Sequence, residues 1–301
     1  MIYNAKYIRL AKQTDAFRTL SAEFAQGRES HAYLLASPDT LLSLSVVAGV
    51  VCEGKSEKLV QRILNEKCSD FKTYDKLTKD EAMEICDESM YSASELNGKY
   101  FVVNATENND SGQNKILKTL EEAPYGLTIF LIAPTVTTLL PTIVSRCQLL
   151  EPRLIKEIDE TEFDFSLYFE MAKYGAKNNL TVFDRLLGGT GASLFSSAVR
   201  AVSLLAEGRA LEAFDLFPNK REELSEFLGY LETIFGDGMQ VACGRKVETY
   251  GIVKLSKVAE AFPKERYPQI FAELRRARKR ATSGNLTSVI DTLIISIIGG
   301  E

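Results

Sequence analysis

Residues 100–133, YFVVNATENNDSGQNKILKTLEEAPYGLTIFLIA, place two apolar runs on either side of one polar, helix-forming stretch. Tyr100 to Asn104 (YFVVN) and Thr128 to Ala133 (TIFLIA) are rich in β-branched and aromatic residues and show no alternating polar face. Such runs suit central strands of a parallel sheet, covered on both sides. Between them, Gln113 to Glu122 predicts a helix with Ile116, Leu117 and Leu120 on one side. Asp110 or Ser111 is placed to cap its start, and Pro124 to stop it. Strand, helix and strand at this spacing make a βαβ unit, so the chain carries an α/β sheet.

Upstream, His31 to Ala36 (HAYLLA) reads as a short buried strand, followed by a helix-length apolar segment from Leu41 to Cys52. Downstream of Pro152 the character changes. From Asp159 onward the periodicity is that of amphipathic helices, with no convincing strand pair. The stretch Gly188-Gly189-Thr190-Gly191 opens a helix over Ser193 to Ala206, and Pro218-Asn219-Lys220 precedes one over Glu222 to Phe235. Further helices are expected over Lys254 to Ala261, Pro268 to Ala281 and Leu286 to Ile298. An α/β domain followed by all-α domains is the architecture expected, without internal repeats or low-complexity tracts.

A chain of 301 residues has room for two or three such domains. Its formal net charge of -5 argues against gripping DNA chiefly through bulk positive charge, although a local basic face remains compatible. The five cysteines (Cys52, Cys68, Cys86, Cys147 and Cys243) are odd in number, scattered, and never in CxxC spacing, and His31 is the only histidine. A disulfide framework or a zinc site is therefore not expected, and a reducing cytoplasm is the natural setting. The first residues, MIYNAKYIRLAKQTDAF, lack an uninterrupted signal-peptide core, and no apolar stretch reaches the ~20 residues of a spanning helix. A soluble, cytoplasmic protein is expected.

Three blocks carry more specific information: Asn114 to Pro124 (NKILKTLEEAP), Thr128 to Pro134 (TIFLIAP) and Leu139 to Cys147 (LLPTIVSRC). In order and spacing they resemble the signature of the AAA+ clamp-loader subunits of bacterial DNA polymerase III. Weaker likenesses are Ala25-Gln26-Gly27-Arg28 with His31-Ala32-Tyr33-Leu34, the turn Gly188 to Ser193, and Asn285-Leu286 opening the last helix. The resemblance implies a RecA-like AAA+ domain over 1–152, a small helical lid over 153–206 and a helical collar over 207–301.

Within that resemblance the nucleotide-handling residues are missing. A P-loop needs glycines that let backbone N–H groups approach phosphates, a lysine and a hydroxyl for magnesium. The corresponding stretch is Ser37-Pro38-Asp39-Thr40-Leu41-Leu42-Ser43-Leu44, with neither glycine nor lysine and with an acid that would repel a phosphate. Where an acidic pair should end the next strand the sequence reads Val103-Asn104-Ala105-Thr106-Glu107, and Ala192 stands where the lid arginine is expected. Ser145-Arg146-Cys147 is retained. In the family this motif offers its arginine to ATP on the adjacent subunit, a task suited to a permanently charged, bidentate group. Read without the family, Arg146 is more simply a cation paired with a carboxylate at the end of a strand.

The combination resembles the family's ATPase-inactive delta-prime members. It implies no cofactor or metal, since the four-cysteine zinc module common in the family is lacking. The implied partners are the gamma/tau ATPase subunits and the delta subunit, with the sliding clamp and primed DNA reached through the assembled complex. Ser145 and Cys147 would support the arginine's loop. Two other readings stay open: an ATPase with an unorthodox pocket, and a degenerate AAA+ interaction protein of repair or of phage or plasmid replication. The run Arg275-Arg276-Ala277-Arg278-Lys279-Arg280 reads mainly as a solvated basic helix end, favourable to the helix dipole, with a weak DNA or collar contact as the functional option. Leu286, Val289, Ile290, Leu293, Ile294, Ile297 and Ile298 recur at helical spacing over a surface too broad for an isolated helix, so it is collar core or subunit interface.

Overall fold

The computed structural model describes residues 5–154, 158, 169–189, 191–249 and 251–299. Asp159 and Thr190, both used above, lie outside them. The chain forms two compact units, one of residues 1–164 with 178–181 and one of residues 165–177 with 182–301.

The first unit opens with helices α1 (Ala5–Ala11) and α2 (Asp15–Ala25), followed by β1 (Ala32–Ala36), α3 (Thr40–Cys52), α4 (Glu57–Leu64) and β2 (Phe71–Tyr74). Then come α5 (Lys79–Ser89), β3 (Lys99–Asn104), α6 (Asp110–Glu121), β4 (Leu127–Ala133), α7 (Pro141–Val144) and β5 (Gln148–Leu150). The five strands make one parallel sheet in the order β2-β3-β4-β1-β5. Every residue of β4 is buried, as its unbroken apolar run demands of a strand covered on both faces. Ten of the thirteen residues of α3 are buried, so a helix apolar all round is accommodated inside the unit.

The helix expected at Gln113 starts three residues earlier, and neither Asp110 nor Ser111 caps it. Asn109, extended at φ -140°, does so by accepting from the Gly112 N–H at 2.8 Å. Asp110 instead occupies the first turn, where a negative charge meets the positive end of the helix dipole. Strands β2 and β5 are additions to the sequence reading. One is a four-residue edge strand with a half-buried middle, the other has three residues, and neither offers an apolar run.

All regular elements among the described residues of the second unit are helical, chiefly α8 (Phe169–Ala176), α9 (Leu180–Leu187), α10 (Ala192–Ala206), α11 (Ala210–Phe214), α12 (Arg221–Ala242), α13 (Leu255–Ala261), α14 (Tyr267–Ala281) and α15 (Leu286–Ile298). The first two residues of α9 fall in the other unit. Aromatic pairs such as Phe195–Tyr230, 5.0 Å apart and edge to face, and Phe235–Phe262 at 5.4 Å knit these helices together. In α15, Val289, Ile290, Leu293, Ile294 and Ile297 are buried, so most of its apolar face is core of this unit, while Ile295 is exposed. No helix among the described residues is long and apolar enough to cross a membrane.

Candidate functional site

β1 is the axis about which the site residues are arranged. Its C-terminal end runs into Ser37-Pro38-Asp39 and then the N-terminus of α3, the place where open parallel sheets usually bind anions. Here the place is taken by the chain's own carboxylate. Asp39, only 5% exposed, accepts at Oδ1 from the N–H of Leu42 (3.1 Å), the N–H of Thr181 (3.0 Å) and the Thr181 hydroxyl (2.8 Å). Its Oδ2 accepts from the Leu180 N–H at 2.5 Å. The expectation that Asp39 simply repels phosphate thus understates its role as a capping acceptor. At the end of β3, Asn104 accepts from the Thr106 N–H at 3.1 Å, Ala105 is fully buried, and Glu107 is exposed. No acidic pair stands there. Ala192 is buried as the first residue of α10.

The other end of β1 faces the retained motif. β5 runs parallel to β1 with Gln148 opposite Tyr33, so Ser145-Arg146-Cys147, just before β5, turns at the N-terminal end of these strands. The five residues of β1 span about 16 Å, and that length separates the turn from the loop at Asp39.

Both ends of the segment 140–146 are fastened to α6. The Leu140 N–H donates to Gln113 Oε1 at 2.7 Å, and Gln113 Nε2 donates to Asn108 Oδ1 at 2.5 Å. Asn108 in turn donates to the Ala105 carbonyl at 2.8 Å. At the far end Arg146 forms an ion pair with Glu121 and donates to the Thr142 carbonyl at 2.6 Å. Gln113 and Glu121 are eight residues apart, about 12 Å along the helix, so α6 sets the reach of the motif. The Arg146 side chain is 32% exposed and that of Glu121 46%.

Ser145 is exposed and its hydroxyl donates to the Thr142 carbonyl at 3.1 Å, while Ile143 sits in the core. Cys147 packs against the same core, and burial pushes its thiol up to about 12, so it remains protonated near neutrality and serves packing. Gln113, Asn108 and Glu121 escaped the sequence reading. Glu121 was open to it, since it lies inside the NKILKTLEEAP block, whereas Gln113 and Asn108 carry no signal beyond being polar.

Among the described residues no three His, Cys, Asp or Glu side chains converge as a metal site requires. In α14 the five cations Arg275, Arg276, Arg278, Lys279 and Arg280 are exposed, Arg276 pairing with Glu273 at 2.5 Å and Arg278 with Glu232 at 3.0 Å.

Residues 12–155, just under half of the chain, match the family described as DNA polymerase III, delta subunit. No curated protein sequence matches. Among solved structures, a DNA polymerase III gamma subunit-related protein from Thermotoga maritima is similar over 95% of this chain and 99% of its own, at 16% identity and a TM-score of 0.53. That likeness shows a shared fold. The DNA clamp loader delta protein of Bacillus subtilis aligns over 94% of this chain and 99% of its own at 12% identity, but its TM-score of 0.35 supports no argument.

Proposed function

We infer, from the match of residues 12–155 to the family described as DNA polymerase III, delta subunit, that the chain is a delta-prime-like clamp-loader subunit that lends Arg146 to ATP held by a neighbour. The observation that carries this reading is the placement of two features at opposite ends of β1. The anion position that follows β1 is filled by Asp39, and Arg146 stands at the other end of the strand, out of reach of it. Any triphosphate that Arg146 touches therefore belongs to another molecule. Ser145 holds the turn through Thr142, Cys147 anchors it to the core, and the guanidinium is left partly open.

In this reading the chain joins gamma/tau-type ATPase subunits and a delta subunit in a cytoplasmic ring, and helps place the sliding clamp on primed DNA without hydrolysing ATP itself. The reading adds a lid over 153–206, of which residues 153–164 and 178–181 group with the α/β unit, and a ring-forming collar over 207–301. Arg146→Ala in the reconstituted loader tests the reading. Hydrolysis at the one ATP site this subunit faces is expected to fall by about 10³-fold, the lower range for an arginine supplied in trans. Unchanged single-turnover hydrolysis at that site would remove the assignment.

A further inference from the structure

We propose that the Asp39 carboxylate is a resident substitute for a bound phosphate, holding two helix N-termini together so that this part of the molecule needs no nucleotide to keep its shape. The proposal is independent of Arg146 and goes beyond the reading above, which requires only that the chain bind no ATP.

Asp39 sits before α3, a helix of thirteen residues, and meets α9 as well, because Leu180 and Thr181 are the first two residues of that helix. The first N–H groups of a helix have no partner inside it and point outward with the positive end of the dipole. Three of the four hydrogen bonds to the Asp39 carboxylate come from such groups: Leu42 of α3, and Leu180 and Thr181 of α9. The fourth is the Thr181 hydroxyl, whose oxygen also accepts from the Leu41 N–H at 2.9 Å and so links the two helix starts directly. A buried, negatively charged acceptor ringed by backbone N–H groups is what a phosphate experiences at the end of a P-loop. Here the charge is covalently attached.

The turn that presents these donors is the exit of α8, which ends at Ala176. Lys177 and Asn178 take positive φ values of 47° and 64°, a costly backbone for residues other than glycine. Residues 178–181 pack with the first unit, although the chain on either side belongs to the second. Asp39 accounts for that: it is buried in the first unit and gathers both N–H groups and the hydroxyl of this short segment. A carboxylate so deeply placed is tolerated only when its oxygens are satisfied, and each oxygen here has at least one donor.

Hydrogen exchange on the isolated, nucleotide-free chain tests the proposal. The amides of Leu42, Leu180 and Thr181 are expected to be protected, and millimolar Mg-ATP to leave their exchange unchanged. In Asp39→Ala their protection is expected to fall about 10- to 100-fold, the loss that follows from removing a charged hydrogen-bond acceptor. Millimolar inorganic phosphate or tripolyphosphate is expected to restore part of that protection in the variant and none in the parent. Should Asp39→Ala fail to fold, Asp39→Asn, which keeps an acceptor for Thr181 but turns an amide against the Leu180 N–H, is expected to lose protection at Leu180 selectively. Unprotected Leu180 and Thr181 amides in the parent, an ATP-induced change there, or equal exchange in parent and variants would each overturn the assignment. Absence of any selective response to phosphate would overturn the substitution for phosphate and leave Asp39 an ordinary helix cap.

Discussion

Glu121 and Arg146 are both partly open to water, a setting in which an ion pair contributes about 0–1 kcal/mol because solvent competes for each charge. The pair therefore orients the guanidinium without binding it tightly. Glu121→Gln is expected to change the unfolding free energy of the isolated chain by less than about 1 kcal/mol in urea titrations. A loss above about 2 kcal/mol would mean that Arg146 is a structural pin and unavailable to a neighbour. Asp70 stands at the other extreme. It is buried, and its Oδ2 accepts from the N–H groups of Ser94 (2.8 Å), Glu95 (2.5 Å) and Leu96 (2.9 Å). Burial alone would raise its pKa, but the backbone donors outweigh burial and hold it below the ordinary aspartate value. With the folded value below the unfolded one, the stabilisation is full above about pH 4 and is lost as the pH falls through the folded value. Asp70→Asn is expected to cost about 1–3 kcal/mol at pH 7 and to flatten the acid side of the stability curve. Equally steep acid limbs in parent and variant would refute this.

At the level of elements, α6 is where sequence and structure speak most directly to each other. Its apolar side was visible because Ile116 and Leu120 recur at helical spacing, and both are buried. Its start was not, since Asn109, Asp110 and Ser111 are all competent caps and only the backbone angles choose among them. The same holds elsewhere: β1, β3 and β4 declared themselves through continuous apolar runs, whereas β2 (FKTY) and β5 (QLL) are edge strands specified by their neighbours. Arg146 was legible from the SRC block, but its ties to Glu121 and, through α6, to Gln113 are long-range contacts that no local pattern encodes. Two glycines give this contrast an experimental form. A Cβ on Gly112, in the first turn of α6, would lie 2.5 Å from the Leu77 carbonyl oxygen and 2.7 Å from a Thr78 backbone carbon. Backbone cannot swing aside, so Gly112→Ala is expected to destabilise by about 2–3 kcal/mol despite alanine's better helix propensity. Gly236 in α12 has nothing within 4 Å of a built Cβ, so Gly236→Ala is expected to stabilise by up to about 1 kcal/mol. Thermal melts of the two variants should move in opposite directions, and a shift of the same sign in both would mean that propensity, and not the approach of Leu77, governs position 112.

For the molecule as a whole, a formal charge of -5 means that attraction to DNA has to come from a local face that works against the overall field. The end of α14 is the strongest candidate, but part of its charge is already engaged. Arg276 is paired with Glu273 and Arg278 with Glu232, whereas Arg275, Lys279 and Arg280 have no acidic partner within salt-bridge distance among the described residues. The cations in the last turn also face the negative end of their own helix, an interaction that needs no nucleic acid to explain their presence. If all three unpaired cations met phosphates, counterion release would give a slope of log affinity against log salt of about -2.7 on duplex DNA, at roughly -0.9 per neutralised phosphate. Between 50 and 200 mM salt that corresponds to a fall of roughly 40-fold, modest beside the ~10³ to 10⁵ of proteins built to hold duplex. Titration of the isolated chain with duplex DNA is therefore expected to show weak binding with a slope no steeper than about -3, abolished in an Arg275→Ser, Lys279→Ser, Arg280→Ser triple variant. A steeper slope, or one that survives the triple substitution, would locate the DNA-facing charge outside α14. The basic end of α14 would then be read as a solvated helix terminus.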